Sequence, residues 1–277
     1  MTNPFVTKAL SLPGVVAVWA QSRDGSAWQD DGALDLDLTA TGAVWETAGG
    51  PGDALPGYWH MDGVDDTLMR PSGDDSALDL GAADGWHWLL VVVRRHADTT
   101  SFGPSVTKGD NTYALRGTAG GEGTHGQEIR GGTGGNVTNA QGNMLPLDLW
   151  QMVAGVQDQG AGELRLYGSG GSSSTADIAY AMALAATNSR SGTVGTNSNA
   201  RFSVGVQDND GTLRRWYAID VAAVVVGDGD IPTLAQIEEL RQAVFEEPSA
   251  FDPANLQATV DGDTVSLSWD ASPLVPA

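Results

Sequence analysis

Tyr58-Trp59-His60-Met61-Asp62-Gly63-Val64-Asp65-Asp66-Thr67-Leu68 joins an alternating aromatic run to an acidic turn. Alternation with a period of two marks a strand with one buried face, and Asp-Gly marks a turn. His60 to Met69 is therefore read as a strand with Asp62-Gly63 near its start. Upstream, Val15 to Trp19 is a short apolar run, and Gly32 to Leu38 alternates Leu34, Leu36 and Leu38 with acidic residues. Both read as strands, separated from the quoted stretch by the Gly49-Gly50-Pro51-Gly52 loop. Downstream, Trp86 to Arg94 is apolar without alternation, the pattern of a central strand covered on both faces.

Further out, Val106 to Arg116 reads as an edge or inner strand, followed from Gly117 to Asn143 by a polar insertion that can supply little core. Trp150 to Val156 and Glu163 to Tyr167 flank Gln157 to Gly162 as a hairpin, and an Ala-rich stretch after Thr175 suits strand or loop. Phe202 to Val206 and Trp216 to Val226 complete about ten short strands with Gly-rich turns, which predicts an all-β sandwich. One helix is expected at 231–246: Asp230 is a candidate N-cap, Pro232 is tolerated in the first turn, and Ile231, Leu234, Ile237, Leu240 and Val244 recur at helical spacing. The predicted division is a sandwich at 1–247 and a short module at 248–277.

Composition narrows the function. The 35 acidic against 14 basic residues give a net charge of −21, which repels phosphate backbones and anionic lipid. Nucleic-acid binding is not expected. With only Lys8 and Lys108 as lysines, the bias fits either a halophilic protein or a GC-rich genome. Zero cysteine excludes disulfides, thiolate metal sites and cysteine nucleophiles. No segment nears the roughly 20 apolar residues of a membrane helix, and Met1 to Leu10 lacks the basic start and apolar run of an export signal.

The landmarks together resemble the laminin G-like branch of the concanavalin A-like lectin/glucanase superfamily. Val15 to Trp19 matches its early strand, and Met61-Asp62-Gly63-Val64-Asp65-Asp66 its Phe-Asp-Gly-x-x-Asp type motif, with Met replacing the aromatic. Trp86 to Val92 follows as the aromatic-led strand, then Lys108-Gly109-Asp110 and Tyr113-Ala114-Leu115. Trp150 to Ala154 and Leu164 to Gly170 correspond to the family's paired strands, and Tyr217 to Ala222 to its closing strand. The resemblance implies an antiparallel jelly roll used mostly for binding. Pro253 to Ser272, with Leu256, Val260, Val265, Leu267 and Trp269 around Asp261-Gly262-Asp263, is similar to the first two strands of a fibronectin type III domain. A complete module needs about 100 residues, so this is a stub that must dock on something.

Candidate chemistry is sparse. Asp62, Asp65 and Asp66, with Asp220 if the strands are neighbours, could ligate Ca²⁺, although Asp-Gly turns and buried Asp accepting backbone N–H groups explain such residues equally well. Trp28, Trp45 and Trp59 fall in or beside loops and are the candidates for stacking on sugar rings, whereas Trp19, Trp86, Trp88, Trp150 and Trp216 sit in apolar strands as core. A glycanase needs two carboxylates projecting into a cleft, and Glu46, Glu122, Glu128 and Glu163 are isolated in the sequence. His60, His87, His96 and His125 lack paired spacing, which argues against zinc. Gly131 to Gly135 lacks the Lys-Ser/Thr of a phosphate loop, and Asn136-Val137-Thr138 fits a glycosylation sequon.

The function expected is therefore non-enzymatic: a virion structural and adhesion protein, on the tail or capsid of a bacterial or archaeal virus, with a lectin-like domain for host-surface glycans. Its expected partners are other virion proteins and copies of itself, and it is made without an export signal. The alternative is a carbohydrate-binding module of a secreted, extracellular enzyme or adhesin.

Overall fold

The computed structural model describes residues 3–21, 25–71, 76–96, 103–109, 112–117, 124–130, 137–143, 146–173, 175–190, 192–196, 199–209, 211–245, 256–261 and 264–269, with 124–130, 137–143, 256–261 and 264–269 as backbone alone. In chain order the first elements are α1 (Pro4–Leu10), β1 (Val15–Trp19), β2 (Ala27–Trp28), β3 (Leu38–Thr41), β4 (Val44–Glu46), β5 (Tyr58–Asp62), β6 (Thr67–Met69) and β7 (His87–Arg95). Then come β8 (Gly103–Lys108), β9 (Tyr113–Gly117), β10 (Thr124–Arg130), β11 (Val137–Asn143), β12 (Trp150–Asp158), β13 (Glu163–Ser169) and β14 (Met182–Ser189). The last are β15 (Phe202–Val204), β16 (Gln207–Asn209), β17 (Thr212–Arg214), β18 (Ala218–Asp228), α2 (Leu234–Ala243), β19 (Leu256–Asp261) and β20 (Thr264–Trp269).

Two antiparallel sheets make the sandwich. The first runs β14-β13-β12-β7-β18-β5-β4, and β1 joins β18 beyond the end of β5. Thus one edge of β18 pairs with β7, while its other edge is shared, β5 taking Ala218 to Val221 and β1 taking Val224 to Gly227. The second sheet runs β11-β10-β9-β8-β15-β6-β3-β2. β16–β17 and β19–β20 are separate two-stranded sheets. The class is the all-β sandwich that the strand pattern predicts, with a short C-terminal helix.

Burial explains the strand sequences. Trp19, Trp28, Trp59, Met61, Leu89, Val91, Val106 and Phe202 fill the space between the sheets, with Trp19 stacked on Phe202 at 5.0 Å between ring centroids. The outer face of the first sheet is also covered, by α1 through Phe5 and Ala9 and by α2 through Ile237 and Leu240, packed on Trp88, Leu90, Val92 and Val225. Both faces of β7 and β18 are therefore dry, which is why neither alternates. Burying each such side chain stabilises by about 2 kcal/mol relative to exposing it.

The structure departs from the sequence reading in several places. His60 to Met69 is two strands in different sheets: β5 lies in the first and β6 in the second. The link turns at Gly63, whose φ of 81° a side chain would strain. Gly32 to Asp37 is not strand, because the buried Asp30 carboxylate accepts from the N–H groups of Val18, Gly32 and Leu36 and curls the chain around itself. Leu34 is 54% exposed. Val106 to Arg116 spans a hairpin, β8–β9, and the polar stretch beyond it supplies β10 and β11.

Helix α1 was not expected, although Asn3-Pro4 is a start signal: the Asn3 side chain accepts from Val6 N–H, and Pro4 takes the first position. Helix α2 begins later than 231 and is capped by Thr233, in a reciprocal capping box with Gln236, rather than by Asp230. β19 and β20 pair antiparallel, Leu256 opposite Trp269. The rest of the fibronectin-like stretch and its side chains lie outside the described residues, as do Gly131 to Gly135, the sequon at Asn136 and the side chains of Glu122, Glu128 and His125.

Candidate functional site

The acidic turn is built as the sequence suggests. Asp62 ends β5, Asp65 lies in the link and Asp66 starts the return to the second sheet, with carboxylate oxygens of the three within 4.8 Å of one another. Two of those oxygens are occupied: Asp66 Oδ2 accepts from Asp62 N–H at 2.7 Å and Asp62 Oδ1 from Val64 N–H at 2.7 Å. Burial raises the pKa of Asp66, and the neighbouring charges of Asp62 and Asp65 add to the shift, against the bond from the Asp62 backbone. The turn thus holds more negative charge than it neutralises.

Asp220 does not join this group. On β18 it faces Arg94 and two imidazoles, and it is 4% exposed. Arg94 donates to one oxygen, Oδ2, from Nε at 2.8 Å and from Nη2 at 2.7 Å. The other, Oδ1, lies 2.7 Å from His60 Nδ1 and 3.8 Å from His96 Nε2. The two imidazoles stack, with centroids 4.8 Å apart and planes 18° from parallel. Arg94 also lies over the rings of Tyr58, at 5.0 Å, and Trp150, at 4.8 Å, which meet edge to face.

Strand geometry brings these residues together. Trp59 and Met61 point into the core, so Tyr58, His60 and Asp62 emerge on the outer face of the first sheet, where Val44 and Glu46 of β4 stand opposite His60 and Tyr58. Arg94 and Trp150 are paired across β7 and β12, and Asp220 is paired with both His60 and Arg94. Trp150 Nε1 donates to Gly49 O, fixing the 47–57 loop along one side. The result is a rigid polar and aromatic platform at one end of the outer sheet face, near the acidic turn. Sequence spacing hid it because its members come from four strands. One signal was available: Asp220 is a lone charge in the otherwise apolar run Ala218 to Val226.

The tryptophan candidates need revision. Trp28 and Trp59 are fully buried between the sheets, and their indoles are 6.5 Å apart. Neither can stack on a sugar. Trp45 is partly buried against Trp59, at 5.6 Å. Trp19, Trp88 and Trp150 are buried as expected, whereas Trp86 and Trp216 are half-buried.

A second polar cluster closes the opposite end of β7. His87 is wholly buried, and neither ring nitrogen has a hydrogen-bond partner among the described residues. Burial, aided by the Arg190 charge, pushes its pKa down to about 3, so the ring is neutral. Gln157, paired with it across β12, donates to Gly192 O, and Asp228, paired across β18, accepts from Gly81 N–H at 2.5 Å. This cluster ties loops to strand ends.

No protein-family model matches the chain, and no curated protein matches it. Solved structures do. Domain 4 of an extracellular GH43 arabinanase from Geobacillus stearothermophilus, solved in complex with arabinotriose, aligns with 84% of this chain and all of its own length at a TM-score of 0.54 and 14% identity. The binding domain of botulinum neurotoxin serotype D aligns with 95% of this chain at a TM-score of 0.57 and 7% identity; this chain spans 65% of that structure. A sialidase from Trypanosoma rangeli, in complex with sialic acid, aligns with 86% of this chain at 0.52 and 13% identity, over 36% of its own length. At these identities the likeness is one of fold.

Proposed function

We propose that this protein is a non-catalytic, glycan-binding β-sandwich that uses the outer-face platform around Asp220 as its recognition surface. The observation that carries the reading is the convergence of Tyr58, His60, Arg94 and Asp220, with Glu46 and Asp62 beside them, on rigid strands. Fixed donors and acceptors next to a half-buried aromatic ring suit the hydroxyl-rich edge and apolar face of a sugar. A non-catalytic role is supported by the carboxylates themselves: Glu163 and Glu238 are held by Arg165 and Arg241, and Asp62 and Asp65 lie on an exposed turn. Ca²⁺ at Asp62, Asp65 and Asp66 is part of the proposal. The cluster offers a share of the six to eight oxygens this ion takes, and the raised pKa of Asp66 fits a site that a cation would relieve.

Two settings suit such a module. Display on a virus particle, among other virion proteins and copies of itself, is favoured by the absence of cysteine. Multivalent display would then compensate for weak single-site affinity. A carbohydrate-binding module of a secreted enzyme or adhesin is favoured by the likeness to the arabinanase domain.

A glycan array probed with the purified chain, in Ca²⁺ and in chelator, tests the binding reading. Binding that Tyr58→Ala weakens about tenfold or more, with the fold intact, is the expected result. A protein that binds no glycan in either condition would refute it. Light scattering separates the settings, a discrete oligomer favouring the particle and a monomer the detached module.

A further inference from the structure

We infer that the platform takes uncharged glycans and turns away acidic ones, with Glu46 and Asp62 as the residues that set the choice. This rests on the glycan reading above and names the class of sugar that the same surface accepts. Burial decides what a ligand can reach there. Arg94 and Asp220 are only 24% and 4% exposed on their side chains, and they neutralise each other through bonds of 2.7 and 2.8 Å. The open part of the face lies on β4 and β5. Val44 is 51% exposed and stands opposite His60, whose side chain is 42% exposed, and half-buried Tyr58 lies two residues before His60 on the same side of the strand. These three form an apolar and aromatic strip. Glu46, opposite Tyr58, and Asp62, two residues beyond His60, stand exposed at its two ends, about 13 Å apart along the strand.

Charge on this strip runs one way. Among the described residues no cation pairs with Glu46 or Asp62, whereas the Arg94 guanidinium is taken by Asp220, and His60 and His96 are turned to Asp220 Oδ1 and Met61 O. A ligand carboxylate or sulfate laid on the strip therefore meets a carboxylate at each end, in a chain of net charge −21. Sugar hydroxyls meet the opposite. Carboxylate oxygens accept from O–H groups in bonds about twice as strong as neutral ones, while the C–H face of the ring lies on Tyr58 and Val44. Hydroxyl contacts are common to neutral and acidic sugars, so the repulsive element is what separates the two classes.

The test is calorimetric titration of the full chain with matched glycans: the neutral glycan bound most tightly on the array, and the same glycan carrying one sialic acid or one sulfate. Both are measured at about pH 8, where imidazole ordinarily carries no charge. Chelator is present so that Asp62 keeps its full charge, with Ca²⁺ used instead where binding requires it. Expected is at least about tenfold tighter binding of the neutral glycan in about 0.01 M salt, with the gap shrinking in about 1 M salt as the carboxylates are screened. The double variant Glu46→Gln with Asp62→Asn removes both charges and keeps an acceptor oxygen at each position. Its two sites are exposed, and it should narrow the gap to about threefold or less. Tighter binding of the acidic glycan, or a gap that the folded double variant leaves intact, would overturn the assignment. Absence of binding to every glycan sinks the recognition reading itself. A preference for acidic glycans that Tyr58→Ala weakens keeps that reading and removes only the charge selection.

Discussion

Arg94 grips Asp220 through a single carboxylate oxygen, with Nε and Nη2 both on Oδ2, and so leaves Oδ1 to the imidazole of His60. Asp220 is nearly out of water, and Arg94 is its charged partner there. Asp220→Ala should cost about 2 kcal/mol in urea unfolding, because Arg94 is left half-buried without its carboxylate. Asp65→Asn, on the exposed turn, should stay within about 0.5 kcal/mol of the parent. Equal effects would mean that the platform is no more tightly built than the turn.

Gly227 lies against the indole of Trp88, and a Cβ there would collide with that ring. Trp88 cannot retreat, because its Nε1–H is shared between Pro13 O and Asp230 O, each at 3.2 Å. Gly227→Ala should therefore destabilise by about 3 kcal/mol, seen as a lower urea midpoint with the slope unchanged.

Trp59→Ala should behave as a core deletion, costing about 4 kcal/mol, and any loss of glycan binding should track unfolding. Tyr58→Ala, one residue away on the opposite face, should alter binding with little loss of stability. An unfolded Tyr58→Ala protein would contradict the division of β5 into a core face and a recognition face.

Glu238 is held by Arg241 through Nε at 2.9 Å and Nη2 at 2.6 Å, and accepts from Met182 N–H at 2.7 Å, which pins α2 to the start of β14. These bonds, Arg241's first, push its pKa down to about 2 against an ordinary 4.5. A depressed carboxylate contributes stability that is complete above its unfolded value and is lost as pH falls through its folded one. Glu238→Gln should thus cost about 2 kcal/mol at neutral pH, with the gap from the parent closing between pH 4.5 and about 2 in acid titrations of stability.

His87 works in a higher window. Its folded pKa of about 3 lies below the ordinary 6.5, so the unfolded chain takes up the proton first and stability drains as pH falls from 6.5 toward 3. The loss from this ring alone is about 4 kcal/mol in that interval. His87→Leu should remove that slope, and at neutral pH it should be neutral or stabilising by about 1 kcal/mol, since it deletes two unpaired buried nitrogens. A parent whose stability is flat between pH 6.5 and 4 would refute this account.

Much of the fold was legible because period and polarity report burial. Val15 to Trp19 is β1 to the residue, and the unbroken run after Trp86 announced a strand dry on both faces. What failed did so for local reasons. Leu34, Leu36 and Leu38 alternate like a strand, but the Asp30 carboxylate competes for the backbone N–H groups and wins. Trp28 and Trp59 flank loops in sequence yet close the core, because β2 and β5 are short and their neighbours turn them inward. The acidic turn was visible as contiguous residues. The platform was not, since strand pairing rather than spacing joins Tyr58, Arg94, Trp150 and Asp220, and a single sequence carries no register.

The position of β18 also sets the order of events during folding. Its two edges bind β7, β5 and β1, all made long before it, so the middle of the first sheet stays open until the chain reaches residues 218–228. Until then β1 has no partner in that sheet, and β5 and β7 each lack one flanking neighbour. Contacts of such long sequence separation close slowly, and exposed strand edges invite pairing between chains in the interval. A polypeptide stopped before β18 should accumulate as aggregate, and refolding yield should fall steeply with protein concentration.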